Sequence, residues 1–209
     1  LLRLLGKRII YVFHGSDSRP VYMNGYVMSS HGTGALIKAM ILARVQRLVV
    51  RMIDCFAHVI VNIPPQAQFH RRPFVSGFII GRPQQMISKE DPLFLRGDHP
   101  AAGTVRIIHA PSKPGPKGSA SIGDTIERLK ARGYAIDFIE VVGRTNREVL
   151  EEIGRADMVI DELYSDTPMA TFAAEAASLG RPAVVGGYYA EQIDRDVPYG
   201  CMPPSLFVH

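Results

Sequence analysis

The sequence predicts an α/β protein built on parallel sheets, from three observations. Beyond residue 104, short apolar runs alternate with helical patterns: strand Thr104–His109, helix Ser121–Arg132, strand Ala135–Val142, helix Asn146–Arg155 and strand Asp157–Asp161. A helix over Pro168–Leu179 and a strand over Pro182–Val185 follow. The strands are apolar throughout rather than alternating, as expected when helices cover both faces of a doubly wound sheet. Between Gly81 and Gly103 periodicity vanishes among Pro83, Pro92, Gly97, Pro100 and Gly103, which is linker composition. The expected organisation is therefore residues 1–82 as one domain, 83–103 as a linker and 104–209 as a second domain.

The front domain supports the same class. Arg8–Phe13 (RIIYVF) suits a buried parallel strand and runs into the polar loop HGSDSR. Gly34–Phe56 is helical in pattern, with Arg44, Arg47, Arg51 and Asp54 on one face and Leu42, Val45, Leu48, Val49 and Met52 over the rest. The plain reading is a core helix with a solvated basic face. The sharper one lays that face on anionic headgroups. His58–Asn62 reads as a second strand, with a short helix or turn near Gln66–Phe69 and a third apolar run at Gly77–Ile80.

Composition narrows the function classes. The 209 residues are 46% hydrophobic and 21% charged, which is ordinary globular usage and excludes disorder. No run of about 18 uncharged apolar residues exists to span a membrane. LLRLLGKRIIYVF lacks the pattern of a signal peptide, and the expectation is that the chain begins inside a fold. Cys55 and Cys201 form neither a disulfide framework nor a metal-ligand spacing, which favours a reducing cytoplasm. Charge is divided unevenly: residues 1–99 carry 13 Lys and Arg against 5 Asp and Glu, and residues 100–209 carry 11 against 15. A basic front half attracts an anionic lipid or membrane surface, whereas nucleic acid is disfavoured because no aromatics interleave the basic residues.

Two segments carry chemistry. In DELYSDTPMATFAAEAASLGRPAVV, Asp161–Val185, Thr167 is placed to N-cap a helix with Pro168 at N1, and Gly180 falls at C′. The N–H groups opening that helix suit a phosphate. Glu175 is its only charge and sits among alanines; its plain alternative is a solvated helix face. In HAPSKPGPKGS, His109–Ser119, a stiff loop offers Lys113 and Lys117 beside a helix that Ser121 would cap. The loop is not a P-loop, and no GxGxxG follows a strand. Right-handed crossovers bring the loops after His109, Val142, Asp161 and Val185 to one sheet edge.

Taken together, HGSDSR after a strand, RMIDCFAHVIVN before a proline-bearing loop, RIIHAPSKPGPKGS and EAASLGRPAVV resemble the GT-B glycosyltransferases of the retaining family 4 type (glycosyltransferase group 1) over most of residues 7–190. The resemblance implies two Rossmann-like domains facing across a cleft, both incomplete here, with the nucleotide-diphosphate sugar donor on the second and a sugar, glycan or lipid-linked acceptor on the first. It implies catalytic roles for His14 and Lys117, and donor binding by Lys113, Lys117, Gly118, Thr167, Pro168, Met169 and Glu175, with Glu175 on the ribose. It implies transfer with retention in polysaccharide or glycoconjugate biosynthesis, with domain closure about the linker; the expected location is cytoplasmic, peripheral at the inner membrane surface. No metal or other cofactor is expected. Two positions depart from the family pattern: Thr167 stands where the paired-glutamate motif has its first Glu, and Lys113 and Pro114 stand where an arginine is frequent. Thr167 keeps open a non-catalytic interaction subunit of the same fold, and the EAASLGRP segment would be shared by a nucleotide-sugar epimerase.

Overall fold

The computed structural model describes residues 2–23, 32–81, 87, 90–94, 102–165, 167, 169–187 and 190–208. The chain divides into two compact units: residues 1–82 with 194–201, and residues 83–193 with 202–209.

In the first unit three parallel strands, β1 (Ile10–Val12), β2 (Val59–Asn62) and β3 (Val75–Ser76), pair in sequence order, with Ile10 opposite Val59 and Val61 opposite Val75. The third apolar run is not itself a strand. It is a single helical turn, α2 (Gly77–Ile80), following the two-residue β3. Between β1 and β2 lies the 24-residue helix α1 (Thr33–Phe56), which packs Val50 with Phe13, Ala57 and Ile60.

The face that α1 turns inward is not the one its sequence suggests. Only Ala39, Ala43, Val50 and Asp54 are buried, a stripe of small residues that admits the helix close to its neighbours. Asp54 therefore leaves the basic face, and Leu42, Val45, Leu48, Val49 and Met52 are exposed. Burial of Asp54 is compensated by hydrogen bonds. Its carboxylate accepts from His70 Nδ1 at 2.7 Å and from the Arg71 amide at 3.0 Å. Asn62 Oδ1 accepts from the Ile63 amide at 2.8 Å, so its Nδ2 faces Ser18 Oγ at 2.8 Å and His70 Nε2 at 2.9 Å. His70 Nε2 must then be an acceptor, which fixes the Nδ1–H tautomer. This buried network ties the ends of α1 and β2 to the loops at Ser18 and His70.

The second unit is a five-stranded, all-parallel sheet in the order β5-β4-β6-β7-β8. Its strands are β4 (Val105–His109), β5 (Ile136–Glu140), β6 (Met158–Ile160), β7 (Ala183–Gly186) and β8 (Ser205–Val208). The helices are the one-turn α3 (Pro114–Lys117), α4 (Ser119–Ala131), α5 (Asn146–Arg155), α6 (Thr171–Ser178) and α7 (Ala190–Asp196), the last of which passes into the first unit at Asp194. Adjacent residues of β4 serve opposite faces, as strand geometry requires. Ile108 packs with Ile153 of α5 and with Ala173 and Ala176 of α6, whereas Ile107 packs with Ile122 and Ile126 of α4. Ile108, Ile153 and Val159 are fully buried, each worth roughly 1.5–3 kcal/mol of transfer free energy.

Within the segment expected as a linker, Pro92–Phe94 forms a 3₁₀ turn, and Ile87 and Leu93 pack on the second unit's core. Gly154 permits this, because a Cβ there would strike the carbonyl of Leu93. Helix α5 matches its expected bounds; Thr145 accepts from the Glu148 amide while Glu148 accepts from the Thr145 amide, a reciprocal cap. Helix α7 and strand β8 lie in a stretch for which the sequence reading gave no elements.

Candidate functional site

By order of appearance the five strands run 2-1-3-4-5, so the sheet reverses direction of growth between β4 and β6. Ligands in open parallel sheets bind outside the carboxyl ends of the strands at such a point. His109, Val141, Asp161 and Gly187 follow or end their strands along this single edge, bonded in register by Val141 N to His109 O and Asp161 N to Val184 O.

The elbow after β4 is built from its prolines and glycines. Pro114 sits in the first turn of α3, where a missing N–H is tolerated. Gly118 at φ 78° ends that turn in the left-handed region and also N-caps α4, which therefore begins at Ser119 rather than Ser121. A Cβ on Gly118 would come within 2.6 Å of Leu163 Cβ, and one on Gly186 would strike the Leu163 carbonyl. The Leu163 amide donates to Lys117 O at 3.0 Å, and the Gly186 amide donates to Glu162 O at 2.8 Å. The chain leaving β6 is thus seated between two glycines.

That seating delivers Lys117 to two carboxylates the sequence reading had not assigned. Its Nζ lies 3.4 Å from Asp161 Oδ1 and 2.5 Å from Glu162 Oε2. The other oxygen of Asp161 accepts from the Ala173 amide of α6 at 3.3 Å. Burial, the largest influence, would lower the Lys117 pKa, but the charges of Asp161 and Glu162 override it and raise it. Asp161 is pushed up to about 6, first by burial, with Glu162 adding to the rise and Lys117 opposing it. Lys117 therefore stays protonated, and the cluster carries one cation and two carboxylates near neutral pH.

Beneath the elbow, His109 is 1% exposed. Its Nδ1 lies 2.8 Å from Ile160 O, which only accepts, so Nδ1 carries the proton. Nε2 then accepts from Ser119 Oγ at 2.8 Å. Burial lowers the His109 pKa and keeps the ring neutral. The ring bridges β4, β6 and the start of α4.

The remaining sequence-derived residues fall in different surroundings. Thr167 does not cap a helix; it is buried, and its amide is held by Ser165 Oγ at 3.2 Å. Helix α6 starts only at Thr171, with Ala170 as N-cap, because Asp161 rather than Thr167 supplies its oxygen acceptor. Pro168 lies outside the described residues. Met169 packs on the apolar core, and Lys113 is an exposed N-cap of α3. The helix does end as expected. Gly180, at φ 67°, donates to Ala177 O and Arg181 to Ala176 O, the two bonds of a Schellman motif. Glu175 is half-buried, but its Oε1 accepts from Asn146 Nδ2 at 2.8 Å, at the start of α5. The structure thus joins Lys117 to Asp161, Glu162 and the first turn of α6, and turns Glu175 toward α5 instead. In the other unit His14 is exposed after β1, its amide 3.0 Å from Asp17 Oδ2.

The signal for Asp161 and Glu162 was present in the sequence: an acidic pair ending an apolar strand at the edge where loops converge. Comparison with known protein families, with curated proteins and with solved structures finds no match for this chain.

Proposed function

We infer that the chain is a retaining GT-B glycosyltransferase that moves a sugar from a nucleotide-diphosphate donor to an acceptor hydroxyl. The observation that carries this reading is the Lys117 ammonium, held on a glycine-tipped elbow at the switch point of a parallel sheet. In this reading the second unit holds the donor: Lys117 and Lys113 meet the diphosphate, and Glu175 exchanges its hydrogen bond from Asn146 for the ribose. The first unit, which carries His14, takes the acceptor's part.

As the glycosidic bond breaks, negative charge gathers on the leaving diphosphate. A positioned ammonium stabilises it by about 3 kcal/mol, near a hundredfold in rate. Asp161 and Glu162 hold Lys117 in place before the donor arrives, and the donor must share the lysine with them. Protonation of Asp161 removes one competing charge, so diphosphate affinity should rise as the pH falls through about 6.

The test is a thermal-shift series with UDP, GDP, ADP and dTDP. One nucleotide at 100 times its dissociation constant should add about 2.7 kcal/mol of stability. Lys117→Ala and Glu175→Ala should abolish that shift, and Arg47→Ala should keep it. Equal shifts in all three variants would remove the site assignment. One observation favours a second reading, a non-catalytic subunit of the same fold: Lys117 is already neutralised by two carboxylates. Nucleotide binding without turnover of any donor would select it.

A further inference from the structure

Lys117 and Glu162 are the open members of the elbow cluster. Their side chains are 22% and 19% exposed, whereas that of Asp161 beneath them is 2% exposed. One stretch of backbone fixes both: Lys117 O accepts from the Leu163 amide, and Glu162 O accepts from the Gly186 amide. Asp161 has no spare oxygen, since Oδ1 faces Lys117 and Oδ2 accepts from the Ala173 amide. Glu162 engages only Oε2, on Lys117, and its Oε1 has no partner among the described residues. An ammonium has three N–H groups, and Lys117 directs two of them at Asp161 and Glu162. The rim therefore offers one cationic donor and, beside it, one anionic acceptor.

A bare anion suits only half of that pair. Placed on Lys117, it lies against the Glu162 carboxylate with no proton to give it, and the like charges repel. A ligand that suits both halves carries a hydroxyl next to its phosphate. The phosphate takes the free ammonium N–H, and the hydroxyl donates to Glu162 Oε1 in a charge-assisted bond. In a sugar 1-phosphate the nearest such group is the C2 hydroxyl, on the carbon beside the one that bears the phosphate.

We propose that Glu162 is a specificity-determining residue of the donor site, accepting from the C2 hydroxyl of the sugar and disfavouring donors that lack it. That role rests on the reading of Lys117 as the ligand of the donor diphosphate. The pair also matches the separation of charge as the glycosidic bond opens. The ammonium lies with the group that gains negative charge, the carboxylate with the ring that becomes cationic, and a hydrogen bond to the C2 hydroxyl strengthens in such a transition state.

The experiment titrates the full chain with inorganic phosphate, glucose 1-phosphate and 2-deoxyglucose 1-phosphate, probes that require no choice of base, and reads binding by thermal shift. Glucose 1-phosphate should bind about tenfold more tightly than its 2-deoxy analogue, or better, as a hydrogen bond to a charged group warrants. Glu162→Ala should erase that preference while inorganic phosphate binds more tightly, because the competing carboxylate is gone. A residue that only supported the fold would weaken every probe alike on substitution. Glu162→Gln keeps the shape, should also lose most of the preference, and decides the matter if the alanine variant fails to fold. Equal affinity for the two sugar phosphates in the original chain, or a preference that survives substitution, overturns the proposal and leaves Lys117 on the phosphate. Binding that Lys117→Ala leaves intact, or no binding of any probe, removes the donor-site assignment and the role of Glu162 with it.

Discussion

Asp161→Asn isolates the electrostatics of the elbow. Burial sets the carboxyl pKa near 6 in the folded chain, against 3.8 as its ordinary value. A group that binds its proton more tightly when folded stabilises fully below its unfolded pKa, and that contribution disappears as pH rises through the folded value. The gap of roughly 2 units corresponds to about 3 kcal/mol, of which about 2 kcal/mol is lost between pH 4.5 and 7.5. Asparagine keeps the shape and cannot ionise. Urea unfolding of both proteins at four pH values across that interval gives the difference in stability at each. The stability of the original chain relative to the variant should fall by about 2 kcal/mol as pH rises. Contributions common to both proteins cancel, including that of His109, whose lowered pKa works in the opposite sense and costs stability on acidification. A difference that is flat, or that grows with pH, refutes the claim that burial dominates this carboxylate.

Three further substitutions probe the supports. Gly118→Ala forces a Cβ into a left-handed residue and against Leu163, and should cost about 2 kcal/mol or more in a chemical melt. Ser119→Ala leaves His109 Nε2 buried without a donor and should cost about 2 kcal/mol, while Thr125→Ala on the exposed side of α4 should cost far less. Asp54→Ala strips the acceptor from His70 Nδ1 and the Arg71 amide; about 3 kcal/mol should go, read as faster hydrogen exchange at the β2 amides.

The sequence revealed the alternation of the second unit because parallel strands buried on both faces are apolar from end to end. It located the end of α6, since Gly180 and Pro182 act within a few residues of the helix they stop. The start of α6 was misjudged for the opposite reason. A capping residue ordinarily lies next to its helix, and here Asp161 reaches the third amide from a strand ten residues upstream of Thr171. Helix α1 failed differently. With apolar residues nearly all round, its period does not say which side faces inward, and two alanines and a hydrogen-bonded aspartate outcompete larger side chains. Lys117 stands out in a stiff loop beside Lys113 and Glu175 stands alone among alanines, but the partner of each is long-range. Asn146 lies 29 residues from Glu175, and Asp161 lies 44 from Lys117. Strand β8 could have been found, because Leu206, Phe207 and Val208 follow a pair of prolines.

The peptide at Leu163 has bare backbone on either side of it, and hydrogen bonds clip its segment to Lys117 on one flank and Gly186 on the other. Without side chains there to act as bearings, the backbone of Lys117 cannot slide past its neighbours toward an incoming molecule. That backbone is tied to the Leu163 segment and, through it, to Gly186, the last residue of β7. Adaptation at this edge is then left to the torsions of the lysine side chain, and a substitution at Gly186 should be felt in the elbow beneath it.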